Sequence, residues 1–248
     1  MIENLLSELK LYGALDFYKA NTGDIFEKES FIKGMLEEEQ LRRTDMALKR
    51  RLLTAGFPYV REWEGINDKQ NQSIPFKKIK ELSNGEFTQN KTNLCFVGAP
   101  GLGKTHCLVS IGRDLCRLGM NVLFYTACEL VTELEEAKKN CTLSRLMNRL
   151  MRPHFLIIDE LGFVPFSENG ARLLFDVFSK RYETGSIGIS TNLSFEKWPE
   201  IFGSIELTQA LVDRLTHNCE FYTFIGESVR FIESQKKIRK EKGSSKTP

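Results

Sequence analysis

Gly98-Ala99-Pro100-Gly101-Leu102-Gly103-Lys104-Thr105 directly follows the apolar run 94–97 and opens a stretch of helical composition. The string has the form G-x-x-x-x-G-K-T, and a strand before it with a helix after it is the setting a phosphate-binding loop requires. The glycines let backbone N–H groups turn toward an anion, and the helix N-terminus adds its positive pole. In such a loop Lys104 reaches the β- and γ-phosphates of ATP, and the Thr105 hydroxyl is a Mg²⁺ ligand. All eight residues, Gly98, Ala99, Pro100, Gly101, Leu102, Gly103, Lys104 and Thr105, are therefore candidate nucleotide contacts.

Three further elements lie downstream. Phe155-Leu156-Ile157-Ile158-Asp159-Glu160 reads as an apolar strand ending in two acids, and strand C-termini of a parallel sheet face the ligand crevice. Asp159 is placed to hold Mg²⁺ through water, and Glu160 to act as general base on the attacking water. A glutamate at that position suits motor and switch ATPases rather than small-molecule kinases or GTPases. Ser190-Thr191-Asn192 ends the next strand, with Asn192 as the candidate that senses the γ-phosphate or orients water. Asp213-Arg214 falls on a helix before the last apolar run, where Arg214 is a candidate arginine finger for a neighbouring subunit's ATP. Arg230, after Gly226-Glu227-Ser228, is a candidate contact to the γ-phosphate of its own site.

Outward from the loop, apolar runs at 94–97, 122–125, 155–158, 187–190 and 221–225 alternate with helical stretches. This spacing predicts a parallel sheet with helices on both faces. Residues 1–65 read as a helical N-terminal domain, 66–235 as the nucleotide-binding domain and 236–248 as a basic tail. Within the first, a helix is expected to start near Ser30, with Phe31, Ile32, Met35 and Leu36 on its apolar face. Arg42, Arg43, Lys49, Arg50 and Arg51 form a basic cluster, and residues 42 and 49, like 43 and 50, share a helix face.

The 248 residues are 41% hydrophobic and 27% charged, with a net charge of +2. That composition excludes a disordered or fibrous chain and offers no strong global field. No apolar run approaches a membrane span, and Met1-Ile2-Glu3-Asn4 lacks a basic leader, so no membrane association and a cytoplasmic site are expected. Six cysteines lie without Cys-x-x-Cys pairing or a histidine at finger spacing, which argues for free thiols rather than zinc.

The four elements in this order resemble an AAA+ ATPase of the branch that contains DnaC and DnaA. A closer resemblance, dense from 93 to 230, is to the IstB family of insertion-sequence helper ATPases. It is carried by Gly103-Lys104-Thr105-His106, Leu161-Gly162-Phe163-Val164-Pro165-Phe166-Ser167, the run from Leu174-Phe175-Asp176 to Arg181-Tyr182-Glu183, Thr191-Asn192-Leu193-Ser194-Phe195-Glu196-Lys197-Trp198 and Gly226-Glu227-Ser228. The resemblance implies a P-loop AAA+ α/β/α fold behind a small all-helical domain, ATP and Mg²⁺ as cofactors, and His106 within the nucleotide motif. It also implies ATP-dependent assembly of a homo-oligomer on duplex DNA and work beside an IstA-type transposase, with the N-terminal domain contributing to assembly and DNA contact. The alternative is a DnaC-like replicative helicase loader. The chain departs from the family pattern at Ala99-Pro100, at Gly170, where a helix former is usual, and at Val229-Arg230-Phe231.

Phosphate contacts from Lys and Arg supply most sequence-independent DNA affinity. The 42–51 cluster is the first candidate surface for them, and Lys236, Lys237, Arg239 and Lys240 in the tail are the second.

Overall fold

The computed structural model of the chain describes residues 2–20, 28–66, 74–226 and 228. The chain forms two compact units, one ending at Leu53 and one beginning at Thr54.

The first unit is helical: α1 (Ile2–Glu8), α2 (Tyr12–Ala20) and α3 (Lys28–Ala55). The expected helix near Ser30 is α3, and it runs 28 residues, so the basic cluster lies on that same helix. Strong helix formers fill its second half, and i,i+4 pairs such as Lys49–Asp45 at 2.7 Å support it. Phe31 and Met35 are half-buried on it, whereas Ile32 and Leu36 of the expected apolar face are 52% and 58% exposed. Glu39 of α3 serves α2 at a distance. Its Oε2 accepts the N–H groups of Gly13 at 2.9 Å and Ala14 at 3.5 Å, two of the donors that a helix N-terminus leaves without partners. Arg43 Nε holds the other oxygen at 2.6 Å.

The second unit adds α4 (Phe76–Glu81) and α5 (Glu86–Gln89), then β1 (Asn93–Gly98), α6 (Lys104–Arg117), β2 (Val122–Thr126), α7 (Ala127–Lys139) and α8 (Leu143–Met151). It continues with β3 (Phe155–Leu161), α9 (Glu168–Arg181), β4 (Ser186–Thr191), α10 (Pro199–Phe202), α11 (Ile205–Thr216) and β5 (Cys219–Phe224). The strands form one parallel sheet in the order β2-β3-β4-β1-β5. All five expected runs are strands of it.

Strands covered on both faces need apolar residues at successive positions, and Leu156, Ile157 and Ile158 are each fully buried. Leu156 and Ile158 join the larger core with residues of α7, α8, α9 and α11. Ile157 faces the other way, toward α6 at Gly112. The result is the three-layer α/β/α arrangement of AAA+ proteins.

Three local devices hold this unit together. Gly170 lets α9 approach α7, since a Cβ there would stand 2.5 Å from Val131 Cγ1. The missing side chain that reads in sequence as a weakness is a packing requirement, and Ser167 caps the helix at that point by accepting Gly170 N–H at 2.9 Å. Arg181 is buried and donates to the carbonyls of Leu150, Pro153 and Ser186 at 2.7, 3.1 and 2.8 Å. It ties the end of α8 to the entries of β3 and β4, and burial lowers its pKa to about 10. Residues 57–66 are strapped along α6: Trp63 Nε1 donates to Asp114 at 2.7 Å, and Glu62 pairs with Arg113 and Arg117, both at 2.8 Å. No helix among the described residues is long and apolar enough to cross a membrane.

Candidate nucleotide site

The loop 98–105 leaves the C-terminal end of β1 and becomes the first turn of α6. Gly103 caps that helix in the left-handed conformation, φ +93°, which a side chain would strain. Lys104 lies in the first turn and its Nζ donates to Gly98 O at 2.6 Å, Ala99 O at 2.8 Å and Asn192 Oδ1 at 2.7 Å. The lysine and Asn192, 88 residues apart in sequence, are thus brought into contact at the head of neighbouring strands β1 and β4.

Thr105 Oγ1 donates to Asp159 Oδ1 at 2.9 Å. Ser190 Oγ donates to the same oxygen and in turn accepts the backbone N–H of Glu160 at 3.0 Å. Asp159 is buried at the end of β3. Desolvation raises its pKa, against the hydrogen bonds of Ser190, Thr105 and Glu160 N–H and the charge of Lys104, which favour the carboxylate. A hydroxyl and a carboxylate side by side beneath the phosphate loop are the hard oxygen donors that Mg²⁺ takes, so the residues present fit the ion.

Glu160 is exposed and stands at φ +57°, where the pairing of β3 with β4 slips between Ile158 and Leu161. The bulge turns consecutive residues to different tasks, with Asp159 inward against Thr105 and Glu160 outward to solvent. Left-handed backbone at a non-glycine residue is costly and concentrates at functional sites.

Lys104, Thr105, Asp159, Glu160 and Asn192 are therefore gathered at one end of the sheet. Arg214 is not with them. It borders a hollow with Lys91, Asn93 and Gly185, residues at or just before the starts of β1 and β4, whereas the loop follows the end of β1. The six residues of β1 separate the two by roughly 17–20 Å. The Arg214 guanidinium stacks 4.7 Å from the centre of the Phe175 ring and donates to Ala210 O at 3.0 Å.

His106 turns to the strap, with Nε2 2.8 Å from the carbonyl oxygen of Glu62. Burial lowers its pKa, as does the charge of Arg61, while the Glu62 carbonyl opposes the shift. Arg230 and the tail lysines lie outside the described residues. In the basic cluster Arg42 pairs with Asp16 at 2.7 Å, Arg43 with Glu39 and Lys49 with Asp45, Arg50 is exposed, and Arg51 is half-buried.

Sequence reasoning missed Ser190 as a member of the site. The only signal was its place two residues before Asn192, within the polar run that ends the strand.

A sequence model described as the IstB-like ATP binding protein matches residues 6–237. The chain is 33% identical over 223 residues to the protein of insertion sequence IS5376 from Geobacillus stearothermophilus, covering 90% of this chain and 88% of that protein. It is 31% identical over 239 residues to that of IS21 from Pseudomonas aeruginosa, covering 95% and 90%. Both relatives carry names that describe them as ATP-binding. Among solved structures it is similar to the DnaC helicase loader, with TM-score 0.55 and 20% identity over 71% of this chain and 99% of that one. It is also similar to AMPPCP-bound DnaA of Aquifex aeolicus, with TM-score 0.59 and 17% identity over 75% and 56%. These structural likenesses speak for the fold.

Proposed function

The chain belongs to the IstB-like ATP-binding protein family of insertion sequences, and from that premise we propose that it is an ATPase that assembles on duplex DNA and assists an IstA-type transposase in target selection and insertion. One observation carries the hydrolytic half: Thr105, Asp159, Ser190 and Glu160 form a continuous hydrogen-bonded chain beside the Lys104–Asn192 pair.

In this reading Lys104 and the amides of residues 98–105 bind the phosphates, leaving two acceptors of Lys104, the Gly98 and Ala99 carbonyls, as the collar that aims it. Thr105, and Asp159 through water, would hold Mg²⁺, and the ion would supply neutralisation of the phosphate charge. Glu160 accepts the proton of the water that attacks the γ-phosphorus, giving ADP and phosphate. Asn192 orients that water or the γ-phosphate. Arg214 is too far along the sheet to serve its own chain's site, so it stabilises transferring charge in a neighbour, a role worth about 10³–10⁵ in rate.

Within the expected domain 1–65, the compact helical unit ending at Leu53 is the part proposed for assembly and DNA contact, with Arg42, Arg43, Lys49, Arg50 and Arg51 meeting phosphates. Three of these already pair with carboxylates, Arg43 with the buried Glu39, so DNA binding exchanges the exposed Arg42–Asp16 and Lys49–Asp45 pairs for phosphate contacts and is salt-sensitive. The domain 66–235 is the ATPase, and the tail 236–248 is a secondary basic arm. The names of both relatives, each an ATP-binding protein of an insertion sequence, support a transposase as partner.

The test is binding of Glu160→Gln protein to labelled duplex and single-stranded DNA, with and without ATP–Mg²⁺, at two salt concentrations. ATP-dependent, salt-sensitive retention of duplex is expected. Preference for single strands, with capture of a replicative helicase, would replace this reading with the loader.

A further inference from the structure

We infer that Ser228 is a positioning residue of the nucleotide loop: its side chain fills the seat that a side chain on Gly101 would occupy and so holds the loop in its phosphate-binding shape. The inference rests on the ATP-binding reading and adds to it a residue outside the phosphate-binding motif.

The sheet topology brings Ser228 there. β5 is the edge strand beside β1, and their register runs to the last residue of each, Gly98 opposite Phe224. The two strands end together, so the chain leaving β5 travels alongside the loop leaving β1. The approach is close at two points. A Cβ on Gly98 would overlap the carbonyl oxygen of Phe224 and stand 2.8 Å from its Cβ. A Cβ on Gly101 would overlap Ser228 Oγ and stand 3.1 Å from Ser228 Cβ. At Gly103, two residues on, the same construction meets nothing within 4 Å. The contact therefore belongs to Gly101 and Ser228 and not to general crowding of the loop.

The physical need is plain. Glycines at 98, 101 and 103 give the loop many conformations to lose on binding, and every conformation lost weakens the hold on the ligand. Gly101 stands at φ +81°, a conformation that glycine leaves readily unless something beside it prevents the swing. A half-buried hydroxyl side chain wedged against its Cα provides that stop. Ser228 also closes the Gly226-Glu227-Ser228 segment, which carries family resemblance and to which no part of the hydrolytic mechanism gives a task. Its contact is with the loop at Gly101, so the effect expected is on binding and not on the chemical step.

The experiment compares wild-type and Ser228→Ala full-length protein by titration with a fluorescent ATP analogue, by turnover at saturating ATP and by thermal melting. The expected result is a dissociation constant raised roughly three- to tenfold, the scale of one lost polar or packing contact, with turnover and melting temperature unchanged. An unchanged dissociation constant in a wild-type protein that binds ATP overturns the inference alone. A raised constant that tracks a lowered melting temperature also overturns it, because the residue would then serve folding at large. Wild-type protein that binds no ATP would remove the nucleotide reading itself. A second arm needs no nucleotide: Gly101→Ala lowers the melting temperature, and adding Ser228→Gly restores part of the loss. No restoration overturns the packing claim.

Discussion

The backbone N–H of Glu160 is held by the side chain of Ser190, 3.0 Å away, on the neighbouring strand. The same hydroxyl donates to Asp159, so a single buried serine fixes both the metal-side carboxylate and the backbone that carries the proposed base. Ser190→Ala removes the partner of the Glu160 N–H and a hydrogen-bond donor to the buried Asp159, a loss of about 1–3 kcal/mol. The expected outcome is a turnover number lower by tenfold or more with ATP affinity within about threefold of wild type, read from steady-state hydrolysis and equilibrium titration. Equal losses in both would mean that Ser190 acts only on folding.

Glu160→Gln and Arg214→Ala test the two halves of the proposed composite site. Each variant alone is expected to lose at least 10²-fold in hydrolysis while still binding ATP. Mixed in equal amounts they regain activity toward about a quarter of the wild-type rate, the share of interfaces that pair an intact Glu160 with an intact Arg214. A mixture no more active than its components would remove Arg214 from the mechanism.

Glu39 gives the first unit a pH dependence. Burial raises its carboxyl, but hydrogen bonds from Arg43, Gly13 and Ala14 and the Arg43 charge outweigh that and leave the pKa below the ordinary glutamate value. An acid depressed by folding contributes stability that is complete above its unfolded value and lost as pH falls through the folded one. Helix content followed by circular dichroism is expected to hold down to about pH 4.5 and to decline below it. Glu39→Gln flattens the Glu39 part of that dependence and costs about 1 kcal/mol at neutral pH, as loss of a helix cap does.

Gly170→Leu sets two effects against each other. Helix propensity favours leucine by up to about 1 kcal/mol, yet the first added carbon would stand 2.5 Å from Val131 Cγ1. Overpacking of about 1–3 kcal/mol wins, and a lower unfolding midpoint in urea is the expected reading.

Much of the second unit's fold was legible because its strands are buried on both faces and therefore written as apolar runs, none clearer than Phe155-Leu156-Ile157-Ile158. The loop 98–105 was legible for a different reason: backbone recognition of phosphate demands glycine at set positions, and the demand survives in sequence. What escaped depends on contacts between distant positions. Nothing local to Ser190 says that it will face Asp159, since that follows from β4 lying beside β3. Nothing in Glu62 or Trp63 announces α6, where their partners lie 44 residues or more away in the chain. The single helix α3 joins the start expected near Ser30 to the basic run 42–51, and nothing local to either stretch says that they are continuous. Helix formers on either side of Gly34 outweigh the glycine's cost, which is about 1 kcal/mol.

The separation of Arg214 from Lys104 along β1 has a consequence for any assembly built as proposed. A contact that joins one chain's base to the next chain's crown is heterologous, so subunits add head to tail and the array has direction. An open array ends in one subunit whose ATP meets no arginine and another whose arginine meets no ATP. The first would keep its nucleotide while its fellows spend theirs, which makes the two tips chemically distinct although every subunit has the same sequence. A growing array would then carry a stable cap at one tip only, and disassembly would proceed from the other.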